Sequence, residues 1–293
     1  MPIRGRDGVR CSRPEAGRVD GGETAARELA GRLAGGRVLV LTGAGCSTAS
    51  GIPDYRDDDG RWKRSSPMLW QEFRSSDRAR RRYWARSMLG WLPVAAAEPG
   101  VAHRILARLE SAGLLRWLIT QNVDGLHQRA GQRRVTDLHG RLDAVRCLDC
   151  GARSARAAMQ ERLLALNPDW SVCRGERRPD GDAELEGVDW DRFRVPGCDA
   201  CGGVLKPDVV FFGETVPKPT VEACFRRLAE ARLLLIVGSS LMVWSGYRFV
   251  RRAGECGVPV VIVNRGRTRG DAEAVLRLQG DCGELLEAAA GQL

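Results

Sequence analysis

Short apolar runs recur along the chain, each bounded by glycine or polar residues: Val38–Thr42, Leu115–Ile119, Val209–Phe212, Leu233–Val237 and Val258–Val263. Runs of this length read as strands buried on both faces. Between several of them lie stretches whose apolar positions fall three and four apart, the spacing of one helix face. These are Glu23–Ala34, stopped by Gly35-Gly36, and then Val101–Ser111, Thr220–Ala231 and Tyr247–Cys256. Strands alternating with helices predict an α/β fold of Rossmann type, a parallel sheet covered on both sides. The longest apolar runs span five or six residues, whereas a membrane helix needs about 20. No transmembrane segment is expected.

Two stretches break the alternation. Residues 56–99 are rich in Arg and Trp, carry a helical pattern around Ser76–Leu89, and read as a helical insertion. Residues 146–203 have a cysteine pair at each end with Pro, Asp and Gly between, and read as a small zinc-ribbon module threaded into the larger domain. The large Rossmann-type domain is then expected over 23–145 and 204–293. Residues 1–22 scatter Arg4, Arg6, Arg10, Arg13 and Arg18 among Gly, Pro and acids, a disordered basic leader. They contain neither the apolar core of a secretory signal nor the acid-poor composition of a mitochondrial presequence. A cytoplasmic protein is expected.

Composition changes this picture little. A chain of 293 residues suits one large domain with one small one. The net charge of +9 comes from 43 arginines and only three lysines. That bias toward Arg, Ala and Gly reads as a GC-rich, bacterial genome, so the charge reads as solvated surface before it reads as a nucleic-acid patch.

The cysteines say more. Cys147-Leu-Asp-Cys150-Gly and Cys198-Asp-Ala-Cys201-Gly are two matched knuckles with 47 residues between them. The glycine after each pair lets the backbone curl toward the thiolates, and four thiolates in two such turns match a tetrahedral structural zinc. With all four positions taken by cysteine, no site stays open for catalysis. The other six cysteines show no framework spacing, which suits a reducing compartment.

The first strand runs into Gly43-Ala44-Gly45-Cys46-Ser47-Thr48-Ala-Ser-Gly51. Glycines there let the backbone approach a phosphate, and a following helix N-terminus would favour its charge. Thr48 stands where a dehydrogenase fingerprint needs a third glycine, so hydride transfer is not indicated. Of the three histidines, His103 sits in an apolar helical pattern and reads as packing, and His127 lies at a helix start. His139 stands before Gly140 at a strand end, where a sheet edge opens into a cleft.

The glycine loop continues into a long specific string, Ser50-Gly51-Ile52-Pro53-Asp54-Tyr55-Arg56. It resembles the sirtuin family of NAD-consuming protein deacylases. The resemblance continues in order through Thr120-Gln-Asn122-Val-Asp124-Gly-Leu-His127, Leu138-His139-Gly140, the four cysteines, Lys206-Pro-Asp-Val-Val-Phe-Phe-Gly213-Glu214, Gly238-Ser239-Ser240 and Asn264-Arg-Gly266. It covers some nine-tenths of the chain. Arg82-Tyr-Trp-Ala-Arg86, Leu166-Asn-Pro-Asp-Trp170 and Val243-Trp-Ser-Gly-Tyr-Arg-Phe249 look most like the class II, sirtuin-four-like group. Departures from the wider family are Tyr55 for Phe, Phe211 for Trp, Trp244-Ser245 where a proline is usual, and Cys46 for an aliphatic residue.

The resemblance implies that NAD is consumed as co-substrate. The acyl-lysine carbonyl oxygen attacks the nicotinamide ribose, nicotinamide leaves, and the acyl group passes to ADP-ribose. It implies His139 as the catalytic base, Asn122 orienting ribose and water, and Asp124 with Ile52 holding the nicotinamide carboxamide. The pyrophosphate would lie on the Gly43–Ser47 loop, with Gly43, Ala44, Gly45 and Ser47. Thr48, Gly51, Pro53, Asp54 and Tyr55 would also bind the cofactor, Arg56 would lie in the flexible loop that closes over it, and Gln121 would touch the ribose. Gly238, Ser239 and Ser240 would cover phosphate and adenine ribose, with Asn264, Gly266 and Cys282 framing the adenosine end. An acyl-lysine peptide would pair with Phe212-Gly213-Glu214 and Leu241-Met242-Val243. Tyr83 and Arg86 have the Tyr-x-x-Arg spacing with which sirtuins preferring acidic acyl chains bind a carboxylate, and on a helix the two share a face.

Two other functions share these features. One is ADP-ribosyl transfer to protein, which would use the same NAD site. The other is a zinc-ribbon regulator that senses NAD without turnover, against which the chain shows no recognition helix near the cysteines.

Overall fold

The structure is a computed structural model. It describes residues 17–20, 22–63, 67–172, 176–177, 183–184 and 189–293. The sixteen residues at the start of the predicted leader lie outside the described residues.

A seven-stranded sheet forms the centre. Its strands are β1 (Gly17–Asp20), β2 (Val38–Thr42), β3 (Leu115–Thr120), β4 (Val135–Asp137), β10 (Leu233–Val237), β11 (Val260–Val263) and β12 (Leu276–Gln279). The order is β1-β12-β11-β10-β2-β3-β4, and every pairing is parallel. Alternation along the central strands explains the unbroken apolar runs. Val38, Val40, Leu233, Leu235, Val237, Val261 and Val263 face one core, while Leu39, Leu41, Leu234, Ile236, Val260 and Ile262 face another. The first face is covered by α1 (Glu23–Ala34), α4 (Val101–Ser111) and α9 (Cys282–Ala290), and the second by α7 (Lys218–Ala229) and α8 (Trp244–Glu255). In α1 the buried set Ala25, Ala26, Leu29, Ala30 and Leu33 is the three-and-four stripe seen in the sequence. The expected Rossmann-like fold is present.

Three expectations need correcting. Val209–Phe212 is not a strand of the large sheet. The strand is β9 (Leu205–Val209), and it pairs antiparallel with β5 (Gly140–Cys147). With β6 (Arg153–Ala155) these make a separate three-stranded sheet, so the zinc module's sheet reaches beyond residues 146–203 on both sides. A two-stranded ribbon, β7 (Glu176–Arg177) with β8 (Ala183–Glu184), completes the strands. Second, Gly17–Asp20, expected within the disordered leader, pairs along β12 as the sheet's edge. A strand that borrows its partner from the far end of the chain carries no apolar run of its own. Third, the glycine loop leads into two 3-10 turns, Ala44–Cys46 and Thr48–Ser50, in place of an α-helix. Gly51 in the left-handed region and Pro53 end the second turn before a helix can form.

The helical insertion contains α2 (Trp70–Ser75) and α3 (Asp77–Ala96), the latter started by Ser76, whose hydroxyl accepts from the Ala79 amide at 3.1 Å. The short α5 (Leu126–Arg129) follows β3, and α6 (Arg156–Leu166) follows β6. The insertion and the zinc module share one apolar core: Phe73, Tyr83, Trp84 and Met88 pack with Cys147, Met159, Leu163, Phe193 and Leu205. The Trp84 indole donates to the Leu205 carbonyl at 3.2 Å, tying α3 to β9. Arg156 is fully buried there and pairs with no carboxylate among the described residues. It donates to Ser87 and Gln160 and lies over the Trp84 and Trp91 rings. Burial pulls its pKa down to about 10. No helix among the described residues is long and apolar enough to cross a membrane.

Candidate active site

The carboxyl ends of β2, β3, β10 and β11 open into one cleft of about 630 Å³. Of the residues expected to hold NAD and acyl-lysine, all line this cleft except Gly51, Pro53, Met242 and Arg86.

The loops after β2 and β10 meet at backbone contact. The Gly43 amide donates to Val237 and the Gly45 amide to Gly238, at 3.1 and 2.9 Å. A Cβ on Gly43 would stand 2.8 Å from the Gly238 oxygen, and one on Gly238 would stand 2.4 Å from the Cys46 nitrogen. Gly238 also holds φ +60°, a region that side chains resist. Gly238→Ala is therefore expected to separate the two loops and to raise the KM for NAD at least about tenfold with a lowered Tm; enzyme kinetics and a thermal melt check both.

Beneath the loop, Ser47 is a hub. Its hydroxyl donates to Asp124 Oδ2 at 2.7 Å and accepts from Asn122 Nδ2 at 2.9 Å. Asn122 Nδ2 also reaches the Gly43 carbonyl, and Asp124 Oδ1 accepts the Leu126 amide at 2.9 Å, which starts α5. Gln121 donates to Ser239 Oγ at 2.7 Å, and a Cβ on Gly246 would collide with its amide. The TQNVDG string thus joins three loops in space.

His139 lines the cleft. Nδ1 lies 2.8 Å from the Gln121 carbonyl, which can only accept, so the ring proton sits on Nδ1 and Nε2 is the lone-pair nitrogen. Nε2 accepts the Ser245 hydroxyl at 2.8 Å. Burial, seconded by the charge of Arg248, pushes the pKa down to about 4 against the opposing Gln121 bond. Ser245 and Arg248 both line the cleft, and sequence reasoning gives neither a role. The serine where a proline is usual is the one available signal.

His103 and His127 are buried behind the loop. His103 Nδ1 accepts the Gly100 amide at the start of α4, and burial lowers its pKa to about 4. Burial also holds His127 well below the ordinary range. All three histidines are neutral in the fold and would protonate near 6.5 once unfolded, so the unfolded chain binds more protons between those values. Stability is full above about pH 6.5 and is lost as pH falls toward 4, by about 3 kcal/mol for each of His103 and His139. Thermal melts from pH 7 to 5 should show a steep fall in Tm.

The Arg56 segment folds back over the cleft's outer end. Arg56 donates to the Gly60 carbonyl at 2.7 Å and lies 4.0 Å over the Trp62 ring. Tyr55, Trp62 and Phe212 form an edge-to-face trio. The segment rests on the far wall: the Arg267 amide donates to Asp58, and Gly266 leaves no room for a Cβ against Asp58. Among the residues expected to pair with a peptide, Phe212 takes the Trp70 amide on its carbonyl at 2.8 Å. Glu214 turns inward, accepting the Phe211 amide and pairing at 3.1 Å with buried Lys206. Tyr83 is buried at the cleft wall against Phe73 and Phe211, whereas Arg86 lies outside the lining.

The four knuckle cysteines converge with their sulfurs within 4.8 Å of one another. Cys147 and Cys201 Sγ are 3.5 Å apart, and Cys150 and Cys198 Sγ 3.8 Å. Zinc–sulfur bonds of about 2.3 Å place tetrahedral thiolates about 3.8 Å apart, so the donor set and its spread fit zinc. Gly151 and Gly202 take the left-handed turns that this needs.

The Sir2 family model matches residues 43–245, the span from the glycine loop to Ser245. The chain is a member of the Sir2 family. An NAD-dependent protein deacetylase of Bordetella bronchiseptica is 54% identical over 88% of this chain and 94% of its own. NAD-dependent protein deacetylase 1 of Streptomyces coelicolor is 51% identical over 93% and 91%. Among solved structures, a Sir2–p53 peptide–NAD+ complex superposes with a TM-score of 0.74 at 30% identity, covering 91% of this chain and 97% of that one. A Sir2 homologue–NAD complex gives 0.70 at 30% identity, covering 90% and 92%. The Sir2 glycine loop, the His139 cleft and the four-cysteine centre are thus one continuous assembly in this member.

Proposed function

We propose that this Sir2 protein is an NAD-dependent protein lysine deacetylase of the bacterial cytoplasm, moving the acyl group from lysine to ADP-ribose and releasing nicotinamide. The observation that carries the reading is the tautomer of His139. Its Nδ1 proton is committed to Gln121, which leaves a basic Nε2 in a cleft floored by Asn122 and Asp124. NAD supplies an electrophilic ribose carbon once nicotinamide departs. His139 Nε2 accepts a proton from a ribose hydroxyl, exchanging its bond from Ser245 for one from the substrate. Asn122, fixed by Gly43 and Ser47, orients the ribose and water, and Asp124, fixed by Ser47 and Leu126, holds the carboxamide. The loops at Gly43–Thr48 and Gly238–Ser240 take the phosphates where their glycines let the two backbones meet closely. A carbonyl oxygen is a poor nucleophile, so most of the acceleration comes from alignment and fixed dipoles. Cys147, Cys150, Cys198 and Cys201 hold a structural zinc. None of the eight described cysteines is in a disulfide, which suits a reducing cytoplasm.

The apolar part of the cleft favours a short neutral acyl group. Met68, Tyr83, Val123 and Phe211 line it, and of the Tyr83–Arg86 pair only the tyrosine reaches the cleft. The test is nicotinamide release and peptide mass with acetyl-, succinyl- and glutaryl-lysine peptides, for the wild type and Arg86→Ala. Release that requires an acyl peptide, is fastest with acetyl, and keeps its ranking in Arg86→Ala supports the reading. Release without an acyl peptide, with ADP-ribose added to protein, would replace it with ADP-ribosyl transfer.

A further inference from the structure

Directly behind the glycine loop lies a second cluster of metal-binding side chains, distinct from the four-cysteine centre. Cys46, His103 and His127 are each at most 2% exposed, and their ligating atoms lie within 4.8 Å of one another. The two imidazole rings are 4.7 Å apart between centroids. His127 Nε2 is held by Thr42 Oγ1 at 2.9 Å, whereas its Nδ1 is buried without a hydrogen-bond partner. Buried ring nitrogens are ordinarily satisfied, so an orphan lone pair beside a thiol and a second imidazole points to a ligand. His103 Nε2 has only a long contact, 3.4 Å to Ser47 Oγ.

We propose that Cys46, His103 and His127 form a second zinc site and that filling it inhibits the enzyme. One thiolate and two imidazoles suit zinc and exclude calcium and magnesium, which need oxygen ligands. Tetrahedral zinc wants such atoms about 3.5 Å apart, so the side chains must draw together slightly. On binding, Cys46 releases its thiol proton to solvent. His103 accepts the Gly100 amide at Nδ1, so its ring proton sits on Nε2; that proton moves to Nδ1, and the Gly100 bond is given up. Ser47 Oγ or water completes the shell. Ser47 also holds Asp124 and Asn122, so drawing His103 or Ser47 toward zinc loosens the floor of the cleft. A cation that never touches substrate would thereby slow the reaction.

Purified full-length enzyme, its four-cysteine centre loaded, is dialysed to equilibrium against zinc chloride, and zinc per chain is measured by mass spectrometry against sulfur. Parallel samples are Cys46→Val and His127→Gln, the latter keeping a donor toward Thr42 while removing Nδ1. The expected contents are two zinc ions in the wild type and one in each variant. Deacetylation by the wild type should fall in micromolar zinc, with at least tenfold more zinc needed in the variants relative to each one's own zinc-free rate. One zinc in the wild type, two in both variants, or equal zinc sensitivity in all three overturns the proposal. Because zinc content is read without turnover, a wrong functional reading and an absent site give different results.

Discussion

A His139→Ala enzyme should lose at least about 100-fold in the rate of deacetylated-peptide formation, the ordinary contribution of a positioned general base. NAD affinity should change far less, because the glycine loops do not depend on the ring. The pH profile carries the sharper information. A histidine at its ordinary pKa would halve the rate near pH 6.5. Burial together with Arg248 holds His139 down to about 4, so kcat/KM should stay flat from pH 8 down through 6, its acid limb lying near 4 or hidden by unfolding. Arg248→Gln removes a cation that disfavours the imidazolium, and should move that limb toward neutral. An acid limb at 6.5 in the wild type would show that the working base is another group.

Loss of the four-cysteine zinc should be the largest structural effect. Zinc in small cysteine sites contributes about 10–16 kcal/mol of apparent binding free energy, much of it folding free energy. Here Cys147 and Cys198 are part of the apolar core that also contains Phe73, Trp84 and Phe193. Cys198→Ala is expected to drop zinc by one ion per chain, lower the Tm by at least about 10 °C, and redshift the emission of Trp84, Trp170 and Trp190. Activity should vanish although no zinc ligand lines the cleft, because Tyr83 and Phe211 stand on that core. A zinc-free variant with an unchanged melt would show that the module folds without its metal.

Much of the fold is legible because the central strands are buried on both faces and write themselves as unbroken apolar runs. Elements that leave no such run stay hidden. In β12, Leu276–Gln279, every second residue is polar; Arg277 is nonetheless buried, held by Asp271 and the Gly266 carbonyl. β9 carries Lys206, Pro207 and Asp208 in its middle, so only Val209 and the residues after it form an apolar run, which reads as a strand of the wrong sheet. The site divides the same way. Gly43, Asn122, Asp124 and His139 sit in local strings whose turn chemistry is readable. Ser245 and Arg248 reach His139 from a helix face, Ser245 from 106 residues away along the chain, and such a meeting exists only after α8 has packed. The Ser47–Asp124 bond likewise spans 77 residues.

The core shared by α3 and the zinc module limits how this protein can be recombined. The two segments leave the sheet at different points in the sequence, yet Trp84 and Leu205, 121 residues apart, are joined by a hydrogen bond within a single apolar interior. Exchanging the cysteine ribbon with that of another member would strand α3 on a foreign surface and expose Trp84 and Met88. Transplanting α3 alone would leave Met159 and Leu163 uncovered. Homologous exchange that changes substrate choice by domain shuffling must therefore carry both segments together, and their residues should vary as one set.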